Sequence, residues 1–211
     1  MAAPELKITK QRIRNHFHYF WWQYMVLVLA AILGWNLIYT TTRYQSPEHL
    51  KIEWYYEGST SSETDARTAA FLEEVTPELF PDMEEVTFAL VGMDDQYGEM
   101  QLMVWSVAGQ GDLYMLKEES YSSMIGNGVM ANLLPYVEDG TLNIDGINVD
   151  DYYKIDQETG EKMLVGIPTD SLEGLLDLHV DPAGKVMGLL VNGGNTDNAV
   201  KLMAYFLDNM R

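Results

Sequence analysis

Thirteen Lys and Arg stand against 32 Asp and Glu in this chain of 211 residues, a formal charge of −19 at neutral pH. That balance argues against nucleic acid as a partner and against docking on anionic lipid headgroups, since both want basic surfaces. The absence of cysteine excludes disulfides, thiol chemistry and a lipoprotein anchor, and permits an oxidising compartment.

Residues 1–16 form a basic tail with Lys7, Lys10, Arg12 and Arg14. From Asn15 to Thr42 run 28 residues without a single Lys, Arg, Asp or Glu. At 1.5 Å per helical residue this stretch is long enough to cross a hydrocarbon core of roughly 30 Å. Phe17, Tyr19, Phe20, Trp21 and Trp22 make one interfacial belt, Trp35 and Tyr39 another, and Met25 to Leu33 is almost purely aliphatic between them. A transmembrane signal anchor over 17–41 is expected. A cleavable signal peptide would end in small residues, whereas this run ends in Trp35-Asn36-Leu37-Ile38-Tyr39. Only Arg43 and Lys51 follow closely, so the tail is expected in the cytoplasm and the rest outside, at the cell membrane. The polar residues 42–49, with Ser46-Pro47, read as a stalk. The stretch 50–211 suffices for one α/β domain. Residues 1–44 carry a net +4, which leaves −23 on the exported part of the total of −19.

Within that domain, Lys51-Ile52-Glu53-Trp54-Tyr55-Tyr56 reads as the first strand, closed by Gly58. Ser62 with Asp65 resembles a capping box that opens a helix through Glu74, with Pro77 as its limit. Val86 to Val91 is a second strand, and Asp94-Asp95 can cap the next helix. In that helix Met100, Met103, Val104 and Val107 fall at i, i+3, i+4, i+7, and Gly109 closes it as the C′ residue. Methionines at such spacing read as core. Asp112 to Leu116 is the third strand, followed by a short helix near Ser120 to Ile125 and by Leu133-Leu134-Pro135. Glu138 to Glu161 reads as loop or β-hairpin, either a lid or a plain connection. Met163 to Ile167 is a strand closed by Pro168, and Val186 to Val191 another, followed by the turn Asn192-Gly193-Gly194-Asn195. The last helix runs from about Asp197 to Met210, with Ala199, Leu202, Met203 and Phe206 on one face. The alternation implies a mainly parallel sheet flanked by helices.

Catalytic and metal patterns are not found. The Asn143, Asp145, Asn148, Asp150, Asp151 cluster does not fit an EF-hand, because Tyr152 occupies the place of the bidentate Glu. His16, His18, His49 and His179 form no metal-ligand pair, and no serine sits in G-x-S-x-G. Gly126-Asn127-Gly128 lacks a phosphate-loop ending. No acid, base and nucleophile set can be assembled, so no enzyme and no cofactor are expected.

Ala108-Gly109-Gln110-Gly111-Asp112-Leu113-Tyr114-Met115-Leu116, continuing through Gly126 to Leu134-Pro135-Tyr136, resembles the extracellular solute-binding proteins of bacterial ABC transporters. Trp54-Tyr55-Tyr56, Val165-Gly166-Ile167-Pro168-Thr169-Asp170 and the helix Asn195 to Leu207 resemble further segments of that family, in the same order. The resemblance implies one lobe of a periplasmic-binding-protein-like fold. Only residues 168–185 separate Ile167 from Val186, where the family inserts its second lobe, so that lobe is expected to be missing.

Open α/β sheets bind ligands outside the carboxyl ends of their strands. That rule nominates Ser59 and Thr60 after the first strand, with Ser61, and Asp94, Asp95 and Tyr97 after the second. Glu118, with Ser120, follows the third, Thr169 and Asp170, with Ser171, the fourth, and Asn192 and Asn195, with Thr196, the fifth. The resulting expectation is a membrane-held module that binds a small solute and hands it to a transporter permease. The alternative is an interaction module that docks another membrane protein. An apolar patch favours docking, and a concave site with convergent polar groups favours a solute.

Overall fold

The computed structural model describes residues 10–44, 46–92, 96–156 and 159–211. Residues 1–9 of the expected tail, residue 45 of the expected stalk and the expected Asp94-Asp95 cap therefore lie outside the described residues. The chain divides into two units, Met1–Gln45 and Ser46–Arg211.

In the first unit, helix α1 spans Lys10–Thr42, 33 residues, so it is roughly 50 Å long. Its apolar side chains, from Phe17 to Tyr39, are exposed along the helix. Over Ile13–Thr42 it is long and apolar enough to cross a membrane. Thr40, Thr41 and Thr42 turn their hydroxyls back onto the carbonyls of Asn36, Leu37 and Ile38 in its last turn.

The second unit opens on β1 (Lys51–Glu57), α2 (Ser62–Leu79), β2 (Glu85–Val91), α3 (Gln96–Val107), β3 (Leu113–Lys117) and α4 (Glu118–Gly126). β1 lies between β2 and β3, parallel to both. After the short α5 (Leu134–Glu138) comes a hairpin of β4 (Tyr153–Ile155) and β5 (Lys162–Leu164). Then β6 (Ile167–Pro168), β7 (Lys185–Leu189) and α6 (Thr196–Asn209) complete the chain. The main sheet has the order β2-β1-β3-β7-β6. β7 runs antiparallel to both β3 and β6. The expectation of a mainly parallel sheet therefore holds for β2-β1-β3 and gives way to a mixed sheet beyond it. No crossover helix joins β6 to β7, so β7 returns alongside in the opposite direction.

Both sheet faces are covered. Ile52, Trp54 and Tyr56 of β1 join Leu113, Met115, Met187 and Leu189 in one core, closed by Leu202, Met203 and Phe206 of α6. Trp54 is fully buried, its ring 4.8 Å from both Phe88 and Phe206. Tyr55, Tyr114, Leu116, Val186 and Leu190 point the other way, onto Leu102 of α3 and Tyr121 and Met124 of α4. The stretch 138–152 packs Leu142 and Val149 into the first core, which makes it an anchored connection.

Local signals explain most boundaries. Ser61, one residue before the expected position, caps α2: its hydroxyl accepts from the Thr64 N–H, and the Thr64 hydroxyl accepts from the Ser61 N–H. α2 passes through Pro77, which the sequence reading made its limit. The proline removes only its own N–H from the last turn, and Phe80, 2% exposed, fastens that turn to the core with its N–H on the Thr76 carbonyl. α3 ends in a Schellman motif, with Gln110 N–H on Trp105 O and Gly109 (φ +68°) N–H on Ser106 O. The expected strand Met163 to Ile167 is divided: Lys162–Leu164 pair with β4, while Ile167–Pro168 pair with β7. Pro168 lies within the edge strand β6, where a missing N–H leaves no ladder bond broken.

The expected apolar stripe of α3 exists but faces outward. Met100, Met103, Val104 and Val107 are 63, 51, 65 and 64% exposed. The helix instead lays Gly98, Leu102 and Ser106 on the sheet. Stacked Tyr55 and Tyr114 occupy that face with ring centroids 5.1 Å apart, and Trp105 leans on Tyr55 at the same distance.

Candidate functional site

The carboxyl ends of β1, β2, β3 and β6 and the amino end of β7 share one edge of the sheet. Charged residues close these strands there. Glu57, its side chain 4% exposed, accepts the Lys117 N–H at 3.1 Å and faces Lys117 Nζ at 3.5 Å. Lys185 is 5% exposed, with Nζ 3.8 Å from Asp181 Oδ2 and 5.2 Å from the centre of the Tyr56 ring. Tyr56 donates to the Asp181 carbonyl at 3.3 Å. Burial holds the Lys185 ammonium below the ordinary lysine range, and Lys117 adds to the effect against Asp181, Glu57 and Asp170.

The nominated residues at this edge serve the chain itself. Thr169, fully buried, donates to the carbonyls of Pro182 at 2.7 Å and Lys185 at 3.1 Å. Asp170 accepts the Gly184 N–H at 2.9 Å. Glu118 opens α4 with its N–H on the Gly184 carbonyl, and Ser59 and Thr60 lead into the Ser61 cap. The connection from Thr169 to Gly184 thus folds back on β7 in a short turn, with a 3-10 segment at Glu173–Leu178. Tyr97 stands on the outer side of α3, 72% exposed. Asn192 and Asn195 are corrected in place: because β7 is antiparallel to β3, they sit at the opposite edge of the sheet. There Asn195 Nδ2 donates to the Lys51 carbonyl at 2.6 Å, and buried Asp112 accepts the N–H groups of Glu53 and Asn195. Asp94 and Asp95 lie outside the described residues. The carboxyl edge therefore directs its polar groups at one another.

Removing the buried cation tests that reading. A buried ion pair is often replaceable by an apolar side chain at no net loss. Because the folded-state pKa of Lys185 is lowered, charging it opposes folding at every pH below that value, and the penalty fades as the pH rises through it towards the unfolded lysine range. Lys185→Met is expected to match or exceed the wild-type urea midpoint at pH 7 and to lose that advantage in alkaline solution. A large loss at pH 7 would instead mark the ammonium as a net stabiliser.

A concavity lies elsewhere, between the end of α4 and the β4–β5 hairpin. It is a half-open groove of about 690 Å³. Ile125, Met130, Met163 and Val165 supply apolar lining, and Ser122, Asn127, Lys154 and Asp156 supply polar groups. Its wall is set by the end of α4, where Gly128 (φ +69°) bonds Ile125 O and Val129 N–H reaches Met124 O. Under the floor, fully buried Tyr121 donates to the Val165 carbonyl. On the hairpin, Lys162 Nζ lies 3.5 Å above the Tyr153 ring, and Asp156 N–H bonds Glu161 O. Lys154 on β4 and Asp156 just beyond its end, which accepts the Thr159 N–H at 3.1 Å, place opposite charges two residues apart. The volume falls in the range of about 300 to 1,000 Å³ usual for small-molecule sites. None of the residues nominated from the sequence lines it. The groove joins residues 122–130 to 154–165, and its one local signal was Gly126-Asn127-Gly128, set aside for lacking a phosphate-loop ending.

No family model matches this chain, and no curated protein does. Among solved structures it is similar to an extracellular solute-binding protein family 1 from Alicyclobacillus acidocaldarius, with TM-score 0.41 and 18% identity, over 59% of this chain and 29% of the other. It is also similar to an ABC substrate-binding protein from Listeria monocytogenes in complex with cycloalternan, with TM-score 0.36 and 21% identity, over 54% and 27% of the two chains. The matched region thus spans less than a third of either solved protein.

Proposed function

We propose that this chain is a membrane-tethered, extracytoplasmic module that binds a small solute in the groove between α4 and the β4–β5 hairpin and presents it to a membrane transporter. The groove carries the reading: four polar side chains, two of them oppositely charged, line it together with apolar ones in a volume suited to a small molecule. The ordered solute-binding-protein motifs in the sequence support the same class. The tether is α1, whose apolar length suffices for one span and which the basic tail orients with the domain outside. The floor suits an apolar body, and the Lys154 and Asp156 pair suits a ligand with both a donor and an acceptor or both charges.

Thermal unfolding of the detergent-solubilised chain, scanned against sugars, amino acids and short peptides, tests this. A ligand at about 100 times its dissociation constant stabilises the protein by roughly 2.7 kcal/mol. One class is expected to raise the midpoint, and Lys154→Ala or Asp156→Ala is expected to remove the shift while leaving the ligand-free midpoint near wild type. A ligand shift that survives both substitutions places the site elsewhere, and no shift with any class overturns solute binding.

A further inference from the structure

On the reading that the groove between α4 and the β4–β5 hairpin holds the solute, we infer that this solute is a zwitterion with an apolar side chain, an α-amino acid or a dipeptide, with its carboxylate on Lys154. From residue 45 onward eight Lys and Arg stand among 31 Asp and Glu. Lys51, Arg67, Lys117 and Lys185 each face a carboxylate, and Lys162 lies over the Tyr153 ring. Lys201 donates to the Asn198 side chain, and Arg211 to two backbone carbonyls. Lys154 makes no such contact among the described residues, and it lines the groove. Asp156, two residues on, forms no ion pair with it and accepts the Thr159 N–H at 3.1 Å. In a domain so rich in carboxylates, the ammonium left without one is matched by a carboxylate that a ligand brings.

The opposite wall has the opposite polarity. There α4, nine residues long, ends at Gly126, and the carbonyl end of a helix carries partial negative charge that favours a cation. The side chains of Ser122 and Asn127 on that wall make no hydrogen bond among the described residues, so they are available to an ammonium or a peptide group. Ile125, Met130, Met163 and Val165 line the rest and suit an aliphatic or thioether side chain. Net charge narrows the class further. A simple carboxylic acid or a dianion must enter the field of a domain that carries −23, whereas a zwitterion has no net charge to be repelled. A neutral sugar leaves Lys154 without a counter-charge, and among the described residues no aromatic ring lines the groove for a sugar to stack on.

Thermal unfolding of the full chain in a non-ionic detergent reads the class. The probes are leucine, leucyl-leucine, their carboxamides, their N-acetyl forms and maltose. Leucine or leucyl-leucine is expected to raise the midpoint, and which of them does so separates the amino acid from the dipeptide. The carboxamide lacks the negative charge and the N-acetyl form the positive one, and each is expected to bind about tenfold more weakly or worse than its zwitterion. Lys154→Met keeps an unbranched side chain and removes its charge. It is expected to weaken the zwitterion to the affinity of its carboxamide while leaving the carboxamide itself unchanged. A carboxamide that binds the wild type as tightly as the zwitterion overturns the inference, and so does a zwitterion indifferent to Lys154→Met. A shift with maltose alone, removed by Asp156→Ala, overturns the inference and leaves the groove as a solute site. No shift with any of these compounds overturns the inference and the groove reading together.

Discussion

Gly188→Ala is expected to destabilise the domain by about 3 kcal/mol or more, the combined effect of overpacking and of a buried hydrogen bond lost. Gly188 is buried in the middle of β7, paired with Tyr114 of β3. A Cβ there would stand 1.7 Å from the Tyr121 hydroxyl and 2.8 Å from Met130 Cε. The tyrosine cannot swing aside, because it is fully buried and its hydroxyl donates to the Val165 carbonyl. Accommodating the methyl group means moving α4, breaking that bond, or shifting β7 away from β3. Urea unfolding followed by tryptophan fluorescence measures the loss. Tyr121→Phe removes the hydroxyl and is destabilising alone, since it orphans the Val165 carbonyl, yet it is expected to recover part of the stability of Gly188→Ala. Strict additivity of the two substitutions would show that the hydroxyl is not what the new methyl meets.

A second large effect is expected in alkali. Burial raises the phenol pKa of Tyr114 and carries that of Tyr121 well above 10, with neighbouring acidic groups adding to the rise at Tyr114. Tyr56 and Tyr152 are raised too, first by burial. The sign follows from linkage: a phenol held protonated in the fold contributes stability that is fully present below its unfolded value near 10 and is lost as the pH climbs towards the folded value. Each such tyrosine removes about 1.4 kcal/mol per pH unit in that window, so Tyr114 and Tyr121 together remove about 3 kcal/mol per unit. Stabilities in the lower half of the usual range of about 5–15 kcal/mol do not outlast two or three such units. Tyrosinate absorbance and the loss of near-ultraviolet circular dichroism are therefore expected to rise together in one cooperative step above pH 10. Ionisation of the whole tyrosine complement with the fold intact would contradict the burial of these two rings.

Much of this architecture was legible in the chain because its signals are short-range. The apolar run of α1, the order β1-α2-β2-α3-β3-α4, the closure of α3 at Gly109 and the amphipathic face of α6 each depend on neighbours within a turn or a strand. The likeness to solute-binding proteins, too, rests on motifs a few residues long. The site was less legible. Glu57, Lys117 and Lys185 look like ordinary charges at strand ends, and only the packing of five strand termini at one edge buries two of them. Asn192 and Asn195 moved to the far edge with the reversal of β7, which no local pattern encodes.

What the sequence determined by itself is periodicity and punctuation: which residues share a face, where helices start and stop, where one apolar helix precedes a long acidic stretch. What only the tertiary structure decided is direction. A repeat at i, i+3, i+4, i+7 places Met100, Met103, Val104 and Val107 together without saying whether they turn inward, and here the stacked Tyr55 and Tyr114 rings took the small face of α3 and left the apolar one outside. The groove is likewise an accident of distance in the chain, assembled from α4 and a hairpin some thirty residues later. Local physics sets a period; competition for the faces of the sheet sets its sign.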